Sequence, residues 1–296
     1  VARGAGHRDT ARERYQEALA ITERAVRRLP DDLQSRRDLA GLHNLLGELE
    51  QDAGKHDLAR EHHQRSLDVY ERLARQSLDE IQTRRDVSFA LYYLGVNEWA
   101  AGEFARAREY LDRSLAIDEQ LVQEQPEDIE IRRDLTLSLM RLGDQERQAG
   151  NYSAARRHLA RGLELVEPLA RRFPEDVQLY TDPAFISYHL GQVFRDEGDH
   201  ATARENFQAA LDAIQVAFDR TEDMDFAPAL LGLYIELTRS LRELGRGPES
   251  FEPLATARQL IDSLRAEGRA LSRDILEYEA QILALESDAP QRDDGR

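Results

Sequence analysis

The feature that most constrains this chain is a step of 48 residues. Leu-Gly occurs at Leu46-Gly47, Leu94-Gly95, Leu142-Gly143 and Leu190-Gly191, 48 apart each time. A second glycine follows each, at Gly54, Gly102, Gly150 and Gly198. Ala-Arg comes next, at Ala59-Arg60, Ala107-Arg108, Ala155-Arg156 and Ala203-Arg204, and then a leucine at Leu67, Leu115, Leu163 and Leu211. Four copies in phase mean that one supersecondary unit is used repeatedly. Such a unit buries its apolar face only by stacking against its neighbours.

The unit reads as a helical hairpin. Glu, Arg, Leu and Ala dominate the chain, which favours helix throughout. The first glycine of each copy lets two helices approach closely, and the second ends helix A at a left-handed cap. The small alanine of helix B belongs where the two helices cross. Pro30, Pro126 and Pro174 stop helix B, and Asp32, Asp128 and Asp176 favour the start of the next helix A.

These residues resemble the tetratricopeptide repeat superfamily, whose units carry Leu-Gly, Gly, an aromatic, Ala, an aromatic and Ala in that order. Gly150, Tyr152, Ala155, Leu159 and Gly162 stand at those offsets in the third copy, and Gly102, Phe104, Ala107, Leu111 and Ser114 in the second. The usual unit has about 34 residues. The period here is longer, by about 10 Å of helix per helix if shared equally. Two departures stand out. The aromatic late in helix A is replaced by Glu50, Glu98 and Glu146, with only Phe194 retaining it, and the proline is displaced to the end of the longer helix B. The resemblance covers residues 6–266. It implies an all-α fold, a right-handed α-solenoid of antiparallel helix pairs with about 12 helices. It also implies a non-catalytic protein–protein interaction scaffold that binds a protein or peptide ligand in a concave groove. Similar long repeats occur beside kinase, NTPase or protease-like domains in large bacterial signalling proteins. The alternative is therefore a regulatory arm contacting an intramolecular effector domain of a larger parent chain. A self-assembling structural protein is a second alternative.

The organisation expected is a single solenoid over residues 1–286. A half-repeat at 6–30 is followed by repeats at 32–77, 80–125, 128–173 and 177–220. A degenerate repeat at 226–266 turns at Gly245-Arg246-Gly247-Pro248, with its helix B from Glu249. A capping helix at 269–286, amphipathic from Leu271 to Leu285, closes the stack, and a polar tail at 287–296 is expected to be disordered. The half-repeat lacks its helix A, which suggests that a larger parent lies upstream.

Composition narrows the function. Among 296 residues the net charge is -17, a poor match to phosphate backbones, so no nucleic acid is expected. No run of 18 apolar residues exists, so no membrane span is expected either. The absence of cysteine excludes disulfides and thiol chemistry and is compatible with a reducing, cytoplasmic setting. His7-Arg8-Asp9 matches the kinase catalytic-loop tripeptide, but the companion motifs are missing. His56, His62 and His63 cluster on one helix, where repeat packing explains them better than a metal site. No catalytic residue, cofactor or metal is expected. Glu50, Glu98 and Glu146 recur opposite Arg60, Arg108 and Arg156 across the same hairpin, and the pairs Arg36-Arg37, Arg84-Arg85 and Arg132-Arg133 recur in helix A. Opposite charges at one period read as ladders between helices.

The candidate binding surface lies on helix A, which lines the groove in the resembled family. Its positions are spaced by 3, 4 and 3, one face of a helix. They carry Phe89, Tyr92, Val96 and Trp99 in the second repeat, and Leu137, Met140, Asp144 and Arg147 in the third. The fourth has Phe185, Tyr188, Gln192 and Arg195; the first has Gly41, Asn44, Glu48 and Gln51. A separate stripe of Leu91, Leu94, Leu139, Leu142 and Leu190 supplies the interior. The aromatics and the two arginines, Arg147 and Arg195, are therefore expected to form an open hot spot for an amphipathic helix or extended peptide.

Overall fold

The computed structural model describes residues 5–76, 81–221, 223, 226–266 and 271–288. Among the described residues there are twelve α-helices and no strand. They are α1 (Ala5–Arg28), α2 (Leu33–Asp52), α3 (His56–Gln76), α4 (Ile81–Ala100), α5 (Phe104–Glu124) and α6 (Ile129–Gln148). There follow α7 (Tyr152–Arg172), α8 (Val177–Asp196), α9 (His200–Thr221), α10 (Ala227–Glu243), α11 (Phe251–Ala266) and α12 (Arg273–Ser287). The all-α expectation and the helix count hold. Each helix A from α2 to α8 has 20 residues, about 30 Å, which accounts for the long period.

Local chemistry sets the helix ends as the repeated residues predict. Gly54, Gly102, Gly150 and Gly198 have φ of 73°, 81°, 78° and 87°, the left-handed region that a side chain disfavours. The Asp32 and Asp176 carboxylates accept from the backbone N–H of Ser35 and Leu179, and Asp128 accepts from Ile131, so each aspartate caps a helix A. Hairpin closure depends on the first glycine. A Cβ at Gly95 would lie 2.5 Å from Leu111 and one at Gly191 2.6 Å from Phe207, so the partner side chain occupies the space of the missing Cβ. Ala59, Ala107, Ala155 and Ala203 are fully buried beside these crossings.

The chain divides into two compact units, Val1–Leu142 and Gly143–Arg296. In the first, Ala40, Leu67, Val87, Ala90, Leu91 and Leu94 form an apolar cluster. In the second, a larger cluster joins Ala184, Phe207, Ile214, Leu231, Ile235 and Ile261, and α12 packs on α10 and α11. The drifted hinge keeps a positive φ at Gly245 (71°), but a 3₁₀ turn at Gly247–Ser250 delays α11 to Phe251, later than Glu249. Most of the tail expected to be disordered, residues 289–296, lies outside the described residues, whereas Ser287 ends α12. No helix is long and apolar enough to cross a membrane among the described residues.

Candidate binding surface

Repeat geometry leaves one position of helix A in solvent in copy after copy. Phe89 on α4 is 40% exposed and Leu137 on α6 is 39% exposed, both in the first unit. Phe185 on α8 in the second unit is 37% exposed. The stripe that should supply the interior does so: Leu91, Leu94, Leu139 and Leu142 are at most 1% exposed. Leu190 departs from it and is only half-buried. Large apolar side chains on one face of α4 and α6 are thus surplus to the core.

In the first unit Tyr92, Val96, Trp99 and Met140 are half-buried on the same face. The rings form a cluster: Phe89 meets Tyr93 edge-on at 4.8 Å, Tyr92 meets Tyr93 at 5.7 Å, and Tyr93 stacks on His63 at 5.3 Å. Trp99 leans on Phe104 at 4.5 Å, so part of its area is spent within the protein. In the second unit Tyr188 packs against the apolar core and lies 5.9 Å from Phe207, and burial pushes its phenol up to about 12.

The two arginines expected to give polar specificity are already compensated inside the second unit. Arg147 lies 2.8 Å from Asp144 and 2.5 Å from Asp196. Arg195 lies 2.9 Å from Asp196 and 2.5 Å from the buried Glu236, which also meets Arg239 at 3.1 Å. Asp144 and, for Arg195, Asp196 are neighbours on the same helix, whereas Asp196 for Arg147 and Glu236 for Arg195 come from the next helix A, 49 and 41 residues away, where the sequence alone shows no proximity.

Beneath the apolar face of the first unit lies a polar cluster that the sequence reasoning missed. Asp118 on α5 is 1% exposed. Its carboxylate accepts from Ser88 Oγ at 2.5 Å and from Ser138 Oγ at 2.7 Å. Ser114 Oγ lies 2.9 Å from Ser88 Oγ, 3.0 Å from the Ser88 carbonyl and 3.2 Å from Ser138 Oγ. Arg85 does not neutralise Asp118 but pairs with Asp134 at 2.6 Å. Burial pushes the Asp118 carboxyl up to about 7, against the lowering effect of the two serine hydroxyls. A cavity of about 10 Å³ opens among Ser88, Ser114, Ser138, Asp118 and the paired Arg85 and Asp134, with Phe89, Tyr92 and Leu137 also lining it. It has room for roughly one water-sized group. A comparison between copies would have exposed the cluster: Asp118 occupies the repeat position of Tyr70, Val166 and Ile214.

The histidines serve packing. His63 is fully buried and fills the space over Gly47, where a Cβ would lie 2.4 Å away. Its Nδ1 sits 3.3 Å from Asn44 Oδ1, and burial drives the imidazole down to about 3. His43 and His62 face each other through Nδ1 at 3.0 Å, and burial, then the charge of His62, lowers His43 to about 4. Among the described residues no three His, Cys, Asp or Glu side chains converge as metal ligands. His7-Arg8-Asp9 begins α1, and its side chains lie outside those described.

The charge ladders exist, but their rungs differ from expectation. Arg12 pairs with Glu50 at 2.7 Å and Arg60 pairs with the fully buried Glu98. Each of these two rungs joins helix B to the following helix A; within its own hairpin Glu98 meets Arg106, at 3.3 Å, rather than Arg108. The first turn of α3 and the last turn of α4 lie at the same end of the repeat, which brings Arg60 to Glu98. Where the glutamate becomes Phe194, Arg156 lies over that ring at 5.6 Å, a cation–π rung in the same register. A second ladder runs between successive A helices: Arg37 meets Asp86 at 3.3 Å, as Arg85 meets Asp134.

Residues 38–120 match the family model described as tetratricopeptide repeat. No curated protein sequence matches the chain. Among solved structures, BtubC (BKLC) from P. vanneervenii is similar over 90% of this chain and 95% of its own, with a TM-score of 0.69 at 15% identity. The apo form of RapI is similar over 96% and 80%, with a TM-score of 0.57 at 12% identity. A Rap protein complexed with Competence and Sporulation Factor is similar over 86% and 66%, with a TM-score of 0.55 at 15% identity. At such identities the likeness concerns the fold. The matched segment, the in-phase hairpins and the Gly–Leu crossings together support a tetratricopeptide-repeat-like fold, in a long-helix form with a period of 48 residues.

Proposed function

We propose that this chain is a non-catalytic interaction module whose helix A faces hold a peptide or a partner protein. The observation that carries this reading is the exposure of Phe89 and Leu137 above a core already filled by Leu91, Leu94, Leu139 and Leu142. Folding gains little from leaving two large apolar groups in water, whereas binding gains their burial, about 25 cal/mol per Å². The Rap protein of similar fold, complexed with Competence and Sporulation Factor, supports the same direction. Phe185 offers an equivalent exposed ring in the second unit. Tyr188 and the paired Arg147 and Arg195 contribute there as a rigid rim rather than as free cations, since their partners already hold them.

The test is selection of binders from a displayed random peptide library on the whole chain. Phe89→Ala with Leu137→Ala should weaken the selected peptides at least about tenfold, while the melting temperature moves by only a few degrees. Undiminished binding to the double variant would remove this face from the function.

A further inference from the structure

Asp118 has capacity left over. An ionised carboxylate offers about four acceptor sites, and Ser88 and Ser138 fill two of them. The third hydroxyl of the cluster, on Ser114, is directed at Ser88 and Ser138. Among the described residues no arginine or lysine pairs with Asp118, because the nearby Arg85 is committed to Asp134. A buried carboxylate without a counter-ion is costly. The space beside it holds about one water-sized group and is lined by Phe89, Tyr92 and Leu137 and also by Arg85 and Asp134, so that with Asp118 ionised the lining carries one negative charge in excess.

We infer that the apolar patch of the first unit takes a lysine side chain from the bound peptide. Its ammonium enters the space beside Asp118, Ser88, Ser114 and Ser138, and its methylene stem lies between Phe89, Tyr92 and Leu137. The inference rests on the reading of this face as peptide-binding and adds the chemistry of the anchor. Size decides for lysine over arginine. A compact ammonium is close to water in size and has three donors, which suits a space with room for about one water-sized group, whereas a planar guanidinium is larger. The stem of a lysine matches Phe89, Tyr92 and Leu137, and its charge balances the negative charge that Asp118 and Asp134 carry beyond that of Arg85. Phe89 and Tyr92 add faces to which a cation is attracted.

Binding is then linked to protons. The free pocket holds Asp118 partly protonated near neutrality, since burial raises it to about 7, with Asp134 raising and Arg85 lowering it. A bound ammonium favours the carboxylate, so the peptide binds more tightly at pH 8 than at pH 6.

The experiment uses the library peptides described above, synthesised with lysine or norleucine at each lysine position. The expected result is a loss of about tenfold or more on replacing one lysine, measured against the wild-type chain. With Asp118→Asn the same replacement should cost less than about twofold. Acetylating the peptide N-terminus should change nothing, which separates a side-chain ammonium from a terminal amine. Should Asp118→Asn fail to fold, Ser138→Ala removes one oxygen facing the space and lowers the lysine preference about threefold. Peptides that lose affinity with Phe89→Ala and Leu137→Ala but show no lysine preference would overturn the lysine pocket and leave the groove reading standing. A library yielding no binder sensitive to those two residues would overturn both.

Discussion

The centre of the first unit and the centre of the second are built on the same hairpin and filled with opposite chemistry. Ser88, Ser114 and Asp118 of the first correspond, 96 residues on, to Ala184, Ala210 and Ile214 of the second. Burial is the same in both places, 3%, 1% and 1% against 4%, 0% and 1%. The helices, the glycine crossings and the caps do not register the change. Backbone geometry in this repeat is therefore dictated by the Leu-Gly, Gly and Ala signature, and the centre is free to vary if its polar atoms satisfy one another. The difference costs the first unit stability, because an ionisable group stands where an isoleucine would contribute about 2–3 kcal/mol by burial. Exposed Phe89 and Leu137 lie directly above that polar centre, which is where a binding function would use it.

The sharpest way to break the comparison is to place the carboxylate where no serine receives it. Ile214→Asp should cost about 4 kcal/mol or more, since it removes a buried side chain and leaves an unsatisfied charge beside Ala184 and Ala210. Urea denaturation followed by circular dichroism measures it. A loss below about 1 kcal/mol would show that the helix-pair centre is indifferent to polarity, and that Ser88, Ser114 and Ser138 are not what permits Asp118.

The converse substitution is smaller and depends on pH. Burial pushes the folded-state Asp118 carboxyl up to about 7, from the usual aspartate value of 3.8. Stability from the neutral acid is therefore complete below about pH 4 and is lost as pH rises towards 7. Asp118→Asn stays neutral throughout. The variant should match the wild type near pH 4 and exceed it at pH 8, by up to roughly 4 kcal/mol at 1.36 kcal/mol per unit of pKa difference. Urea midpoints at the two pH values decide it. A constant difference would mean that Asp118 is compensated by a group other than the serines.

Much of the fold was legible because its determinants are local and repeated. Gly54 to Gly198 had to be left-handed caps, Asp32, Asp128 and Asp176 had to be N-caps, and the leucine stripe had to be interior. The exposed Phe89 and Leu137 were legible as well, from helical spacing together with the resemblance that assigns helix A to the groove. Asp118 was not, because an aspartate in a charged helix attracts no notice until it is set beside Tyr70, Val166 and Ile214. The rungs Arg60–Glu98 and Arg195–Glu236 were not legible either. Periodicity shows that charges recur but not whether a rung closes within a hairpin or onto the next one. That depends on which helix ends share a level in the stack.

The smallest expected effect concerns a second polar intruder in the first unit. His63 occupies the position of Leu111, Leu159 and Phe207, pressed on Gly47 as they are pressed on their own glycines. A leucine there fits the hairpin, so His63→Leu should leave stability at pH 7.5 within about 1 kcal/mol, the price of the Asn44 hydrogen bond and the Tyr93 stack. Acid separates the two chains. Burial holds His63 at about 3 and His43 at about 4, both below the usual imidazole value of 6.5. The unfolded chain therefore takes up protons that the folded chain refuses, and stability falls as pH drops from 6.5 towards 4. Removing His63 should flatten that fall by up to about 1.4 kcal/mol per pH unit. His62, Asn44 and Tyr93 face it and remain, as does the His43–His62 pair, to which a residual slope belongs. If His63→Leu and wild type keep the same slope, His63 is not shielded from water, and the first unit admits protons at the hairpin crossing that the leucine repeats keep dry.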